Sequence, residues 1–77
     1  MIDEKKILAH KIGGNIRLLR KSKGMSIEKL AYKSDIGYVQ LSRIELGKIN
    51  TTIYQVFRIS QSLEVELNEL FILNNSK

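Results

Sequence analysis

The sequence contains no cysteine, no proline and a single histidine, His10. Without cysteine, the chain has no disulfide framework, no thiol nucleophile and no zinc–thiolate site. One histidine cannot build a multi-histidine metal site, so we expect neither a metal ion nor another cofactor. A chain of 77 residues forms one small domain, which leaves little room for a substrate pocket with an acid–base pair. These absences argue against an enzyme.

Long hydrophobic segments are also lacking. No apolar run approaches the roughly 18 residues of a membrane span. The first residues, Met1 to Lys6, are too polar to begin a secretory signal. We therefore expect a soluble, cytoplasmic protein without a membrane partner. Its size and organisation are typical of a bacterial protein.

Positive charge is in excess and unevenly distributed. Thirteen Lys and Arg residues stand against eight Asp and Glu, a formal net charge of +5. Residues 1–24 carry seven basic and two acidic side chains, whereas residues 51–77 carry two and three. The amino-terminal part therefore suits a polyanion and the carboxy-terminal part does not. A solvated helix face would explain Lys5, Lys6 and Lys11 equally well.

Apolar residues recur at helical spacing in five short segments. The predicted helices cover about 4–23, 27–33, 38–46, 53–63 and 66–73. Ser26 is the expected N-cap of the second helix, and Thr51 or Thr52 that of the fourth. The pair Gly13-Gly14 predicts a kink in the first helix, or a looser arm before its packed part.

The predicted inward faces follow from the same spacing. Leu41 and Ile44 face the core from the third helix. The expected inward face of the first helix is Leu8, Ile12, Ile16 and Leu19, and that of the fourth is Ile53, Val56, Phe57, Ser60 and Leu63. The alternating stretch from Leu63 to Leu67 is strand-like, but it has no partner and is interpreted as a turn.

Four segments occur in the order and at the spacing of a helix-turn-helix domain: residues 17–26, 30–34, 41–48 and 63–71. Together they resemble the Cro and repressor type, or xenobiotic-response-element type, of DNA-binding proteins. The length is similar to that of stand-alone members, such as controller proteins of restriction–modification systems and small phage repressors. The resemblance implies an all-α, compact five-helix, lambda-repressor-like domain over residues 1–77, with its motif at about 26–47.

The resemblance places the third helix in the DNA major groove, where base edges offer distinct donor and acceptor patterns. It also implies association with the nucleoid. The expected base-reading residues are Tyr38, Val39, Ser42 and Arg43. Arg43 suits guanine O6 and N7, and Val39 suits a thymine methyl group. A surface ion pair would also explain Arg43, and a phosphate contact would also explain Tyr38.

Phosphate contacts should flank the reading helix. The candidates are Arg17, Ser26, Ile27, Lys33, Gln40, Lys48 and Asn50. Ser26 and Ile27 would act through the amide end of the second helix. Ile27 replaces the glutamine that is common in the family, and Gly37 stands where Ser or Thr usually caps the reading helix. These departures predict fewer contacts with the DNA phosphates than is usual in the family.

Glu45 is an acidic residue in a helix that is expected to face DNA, where it would repel phosphate. The resemblance implies an ion pair between Glu45 and Arg20 of the first helix. Such a pair would fix the angle of the reading helix. Direct binding of phosphate by Arg20 is the alternative.

The last helix is the expected face of a homodimer, because residues 70–73 are four consecutive apolar residues that one helix face cannot hide. The expected dimer contacts are Tyr54, Leu67, Ile72 and Leu73, while Phe71 closes the monomer core. Simple capping of a small core would also explain this run. A homodimer would read a pseudo-palindromic operator on double-stranded DNA, with half-sites about 34 Å apart, and would block or recruit polymerase.

Two other function classes fit the sequence. An antitoxin-like interaction module would neutralise a toxin and bind DNA only secondarily. An exposed apolar patch of Ile27, Leu46 and Ile49 would favour that function. A generic helical bundle would make no contact with nucleic acid.

Overall fold

The computed structural model describes residues 3–72, which form five α-helices and no strand. The helices are α1 (Glu4–Ser22), α2 (Ile27–Ser34), α3 (Tyr38–Glu45), α4 (Ile53–Leu63) and α5 (Leu67–Leu70). The all-α, five-helix fold class predicted from the sequence is confirmed. The strand-like stretch before α5 is a turn, in which Glu64 has a φ of 59°. None of the helices in this part of the chain is long and apolar enough to cross a membrane.

The helix starts follow local side-chain chemistry. The carboxylate of Asp3 accepts hydrogen bonds from two amides of the first turn of α1. Ser26 Oγ accepts the N–H of Lys29 at 3.0 Å, as predicted for an N-cap. Thr52, rather than its neighbour, caps α4 by accepting the N–H of Gln55 at 3.1 Å. Each cap satisfies amides that have no partner within their own helix.

α1 is one continuous helix through Gly13 and Gly14, but its buried residues begin only at Ile12. Leu8, which was expected to face inward, is 44% exposed. Gly13 is buried against the main chain of α3, where a Cβ atom would lie 2.7 Å from the carbonyl oxygen of Glu45. Gly14 faces open space. The first glycine of the pair therefore permits a close approach of α1 to the carboxyl end of α3.

The core draws on all five helices. Its largest buried side chains are Ile16, Leu30, Leu41, Ile44, Ile59, Leu63 and Leu70. Two buried hydroxyls add a polar contact between α2 and α4, where Ser34 Oγ donates to Ser62 Oγ at 2.9 Å. The inward positions predicted for α3, Leu41 and Ile44, are confirmed.

The predicted inward face of α4 is confirmed in part, because Val56, Ser60 and Leu63 are buried as expected. Ile53 and Phe57, expected in the core, are 72% and 42% exposed, and Ile59 is fully buried instead. Val56, Ile59 and Leu63 repeat with the same helical period as the predicted face. Because α4 has apolar residues on two faces, the periodicity alone does not decide which face is buried.

α5 has only four residues and is shorter than the helix predicted over 66–73. Leu70 is fully buried, and Phe71 packs against the core as expected. Leu67 also packs against the core, whereas Ile72 is 53% exposed. Leu73, a predicted dimer contact, lies outside the described residues.

Candidate nucleic-acid interface

The outward face of α3 carries the four side chains predicted to read bases. Tyr38 and Val39 are 50% and 58% exposed, Arg43 is exposed and Ser42 is half-buried. Spacings of three and four residues place them on one side of the helix, opposite the buried Leu41. The structure therefore brings these four residues together on one accessible surface.

The α2–α3 turn sets the direction in which α3 leaves α2. Asp35 ends α2 in the left-handed conformation, with a φ of 56°. The next residue, Ile36, is buried and its N–H bonds to the carbonyl of Ala31 at 3.0 Å. Gly37 then starts α3 without a side-chain cap, as expected from its lack of a hydroxyl. A buried anchor between the two helices fixes their relative orientation.

Arg20 and Glu45 form the ion pair that the family resemblance implies. Arg20 Nε lies 2.8 Å from Glu45 Oε2, and Nη2 lies 3.0 Å from Oε1. The third arm of the guanidinium donates to the carbonyl of Met25 at 2.9 Å. Hydrogen bonding to Glu45 raises the pKa of Arg20 above its ordinary value, against the opposing effect of burial. Glu45 is thus neutralised within the protein and is not presented to a polyanion as a free charge.

The same contacts decide between the two roles considered for Arg20. The residue is only 9% exposed, and all three nitrogen atoms of its guanidinium donate to protein oxygens. This geometry favours the structural role over direct contact with phosphate. Arg20 and Gly13 together hold α1 against the carboxyl end of α3.

The predicted phosphate ligands are distributed around α3. Arg17, Lys33, Lys48 and Asn50 are exposed. The side chain of Ile27 packs against the core, so only its main-chain amide at the start of α2 is suited to an anion. The phosphate role of all these residues stays a prediction.

Gln40 belongs to a polar cluster that the sequence analysis did not identify. Its Nε2 donates to Gln55 Oε1 at 3.4 Å, and the hydroxyl of Thr51 donates to the same oxygen at 2.6 Å. The four-residue spacing of Thr51 and Gln55 could have predicted their contact from the sequence. The contact between Gln40 on α3 and Gln55 on α4 could not be predicted in this way. Gln55 connects an outward side chain of α3 to the amino end of α4.

Comparison with known proteins places this architecture in a family. The family model described as helix-turn-helix (HTH_3) matches residues 16–70. The chain belongs to this helix-turn-helix family. The resemblance to Cro and repressor-type proteins inferred from the sequence is thereby confirmed.

Individual relatives of this helix-turn-helix protein include regulators and a controller protein. The HTH-type transcriptional regulator SlrR of Bacillus subtilis (strain 168) is 48% identical over 61 residues, which cover 78% of this chain and 40% of SlrR. The chain thus spans less than half the length of that relative. The restriction-modification controller protein C.AhdI from Aeromonas hydrophila is 32% identical, with a TM-score of 0.80 over 82% of this chain and 96% of C.AhdI.

A second controller protein has a similar structure. Wild-type C.Esp1396I is 37% identical to this helix-turn-helix chain, with a TM-score of 0.77. The match covers 84% of this chain and 88% of C.Esp1396I. The fold therefore agrees with that of two solved restriction-modification controller proteins.

The outward face of α4 carries an apolar surface. Tyr54, a predicted dimer contact, is 63% exposed, and it shares this face with Ile53 and Phe57, which the sequence analysis had assigned to the core. Ile53 also lines a cleft with Phe71, the residue that precedes the exposed Ile72. We refer to Ile53, Tyr54 and Phe57 below as the α4 surface.

The apolar patch considered for a protein-interaction module does not form as predicted. Leu46 is 51% exposed, but Ile27 and Ile49 pack against the core. No group of three or more potential metal ligands occurs within residues 3–72.

Proposed function

We propose that this protein is a sequence-specific, double-stranded DNA-binding transcriptional regulator. It acts as a homodimer on a pseudo-palindromic operator, with α3 in the major groove. The observation that carries the proposal is an exposed row of side chains on α3, held from behind by the ion pair between Arg20 and Glu45. The names of relatives as transcriptional regulators and controller proteins support the same class.

The dimensions of α3 suit the major groove. A helix with its side chains is about 10–12 Å across, and the groove is about 12 Å wide. Arg43 supplies a planar fork for guanine O6 and N7, and Val39 supplies a methyl surface for thymine. Tyr38, at the amino end of the helix, reaches a base edge or the neighbouring phosphate.

Phosphate contacts position the reading helix without carrying sequence information. Lys48 and Asn50 follow α3 in the chain and are exposed, as is Arg17 on α1. The amide end of α2, at Ser26 and Ile27, adds a partial positive charge. Because Ile27 offers no polar side chain, each protomer makes few phosphate contacts. Affinity therefore depends on contributions from two protomers.

The homodimer supplies the second half of the site. One α3 reads only a few base pairs, whereas a two-fold dimer reads two half-sites about 34 Å apart. The α4 surface presents three large apolar side chains that the monomer leaves exposed, namely Ile53, Tyr54 and Phe57. Occupation of the operator by such a dimer blocks polymerase or, through direct contact, recruits it.

The decisive experiment is selection of bound duplexes from a random pool. The expected product is an inverted repeat with half-site centres about one helical turn apart. Arg43→Ala should relax the preference at one position in each half-site, a discrimination of about 1–3 kcal/mol. Lys48→Ala is the matched control, because loss of a phosphate contact weakens all duplexes alike and makes the salt dependence shallower.

Two outcomes would contradict the proposal. One is a pool without sequence enrichment, which would show that the protein binds DNA non-specifically or does not bind it. The other is an enriched site whose preference survives Arg43→Ala together with substitution of Tyr38 and Val39, since α3 would then not be the reading element.

A further inference from the structure

Asn15 links α1 to the carboxyl end of α5 through its side-chain amide. It lies on α1, and its Nδ2 donates to the carbonyl oxygens of Leu70 at 3.0 Å and Ile72 at 2.8 Å. Both partners are carbonyls, which accept hydrogen bonds and do not donate them, so the NH₂ end of the amide must face them. One side chain therefore occupies two carbonyls at the carboxyl end of α5.

The contact holds Phe71, which lies between the two bonded residues and lines a cleft together with Ile53 of the α4 surface. Carbonyls at a helix end have no partner within the helix, and α5 is only four residues long. The side chain of Ile72 is exposed, and its own main-chain carbonyl is the one that Asn15 binds. Asn15 thus sets the position of Phe71, which shares a cleft with Ile53, relative to α1.

α1 also holds the reading helix. Arg20 lies five residues after Asn15, about 7.5 Å along the helix axis, and bonds to Glu45 at the end of α3. Gly13, two residues before Asn15, is packed against the main chain of Ile44 and Glu45. One rigid helix therefore connects the surface proposed for dimer contact to the surface proposed for DNA.

We propose that Asn15 is a positioning residue that sets the separation and tilt of the two α3 helices in the DNA-bound dimer. This inference rests on the homodimer proposed above. In a two-fold assembly, a shift at the dimer surface displaces both reading helices from half-sites at a fixed spacing. The two α3 helices then no longer bind both half-sites at the same time. The extra affinity that comes from linking two binding events is lost, while each protomer still binds a single half-site.

The test compares two duplexes and two variants. The duplexes are the inverted repeat recovered by selection and the same duplex with one half-site scrambled. Asn15→Asp keeps the shape of the side chain, but a carboxylate cannot donate to two carbonyls. Asn68→Asp is the matched control, because Asn68 is exposed on α5 and the substitution adds the same charge.

The expected result is a selective loss. Asn15→Asp should lower affinity for the inverted repeat about tenfold, or more, while affinity for the single half-site changes by less than about twofold. Asn68→Asp should change neither. Lowering the pH to protonate the introduced carboxyl restores one donor, so part of the preference for the inverted repeat should return in Asn15→Asp alone.

A second variant guards against a charge effect or a folding defect. Asn15→Leu has a similar shape, adds no charge and also lacks donors, so it should show the same selective loss. Equal preference for the inverted repeat in wild type and both Asn15 variants would overturn the positioning role and leave the homodimer intact. A wild type without preference for the inverted repeat would overturn the homodimer itself, and this inference with it.

Discussion

Arg20 and Glu45 meet through two parallel hydrogen bonds of 2.8 and 3.0 Å across the contact between α1 and α3. A planar fork on a planar carboxylate fixes an angle as well as a distance. The third arm of Arg20 bonds to the carbonyl of Met25, in the segment between α1 and α2. One side chain thus orients the end of the reading helix and the entry to the helix-turn-helix motif.

Loss of Arg20 should destabilise the domain strongly. Arg20→Ala leaves the buried Glu45 carboxylate without its partner, and we expect the free energy of unfolding to fall by about 3–5 kcal/mol. Arg20→Lys keeps the positive charge but cannot form the two parallel hydrogen bonds of a guanidinium. Its free energy of unfolding should therefore lie between those of Arg20→Ala and wild type. Urea denaturation measures these differences. Arg17→Ala, on the exposed side of the same helix, is the control and should change stability by less than about 0.5 kcal/mol.

The contribution of Arg20 should persist at alkaline pH. The folded protein raises the pKa of Arg20, chiefly through its hydrogen bond to Glu45. A raised pKa gives stability that is fully present below the unfolded pKa and is lost only as the pH rises through the folded value. The difference in unfolding free energy between wild type and Arg20→Ala should therefore stay constant from about pH 7 to about pH 10. A steady decline over this range would show that the guanidinium is not the group that stabilises Glu45.

Much of the fold and part of the site were predictable because local rules and family spacing agreed. Ser26 as an N-cap and the inward Leu41 and Ile44 follow from helix periodicity and capping chemistry. The acid at position 45 is unusual for a surface that faces DNA, and the family resemblance implied Arg20 as its partner. The base and phosphate contacts stay predictions, because they concern a molecule outside the chain.

The errors have a common physical origin in tertiary packing. α4 has apolar residues on two faces, and only the position of the other helices decides that Ile59, and not Ile53, is buried. The role of Gly13 depends on the main chain of α3, which is distant in the sequence. The bond from Gln40 to Gln55 likewise joins side chains of different helices. Periodicity describes each helix separately and carries no information on these contacts.

Ile53 should matter for association but not for folding. It is 72% exposed on the α4 surface, and Leu18 is 70% exposed on α1. Ile53→Glu should weaken the proposed homodimer at least about tenfold in sedimentation experiments, because it places a charge on the apolar surface proposed for the contact. Leu18→Glu is the matched control and should leave the association constant unchanged. Thermal melts should show both variants folded. Equal association of the two variants would remove Ile53 from the dimer surface.

Gly13 and Gly14 offer a direct comparison of neighbouring positions in one helix. A Cβ atom on Gly13 would lie 2.7 Å from the carbonyl oxygen of Glu45, whereas one on Gly14 would meet nothing within 4 Å. Gly13→Ala should therefore push α1 away from α3 and lower the free energy of unfolding by about 1–3 kcal/mol. Gly14→Ala should raise it by up to about 1 kcal/mol, since alanine is the better helix former.

The same pair separates stability from the geometry of the reading helix. Gly13→Ala shifts the main chain of Ile44 and Glu45, so it should also weaken binding to the selected duplex at temperatures where the variant is fully folded. Gly14→Ala should bind the duplex as wild type does. Unfolding curves and duplex titrations on the two variants measure both effects. If Gly13→Ala were as stable as Gly14→Ala, the close contact between α1 and α3 would not exist in solution, and the support of the reading helix by α1 would have to be abandoned.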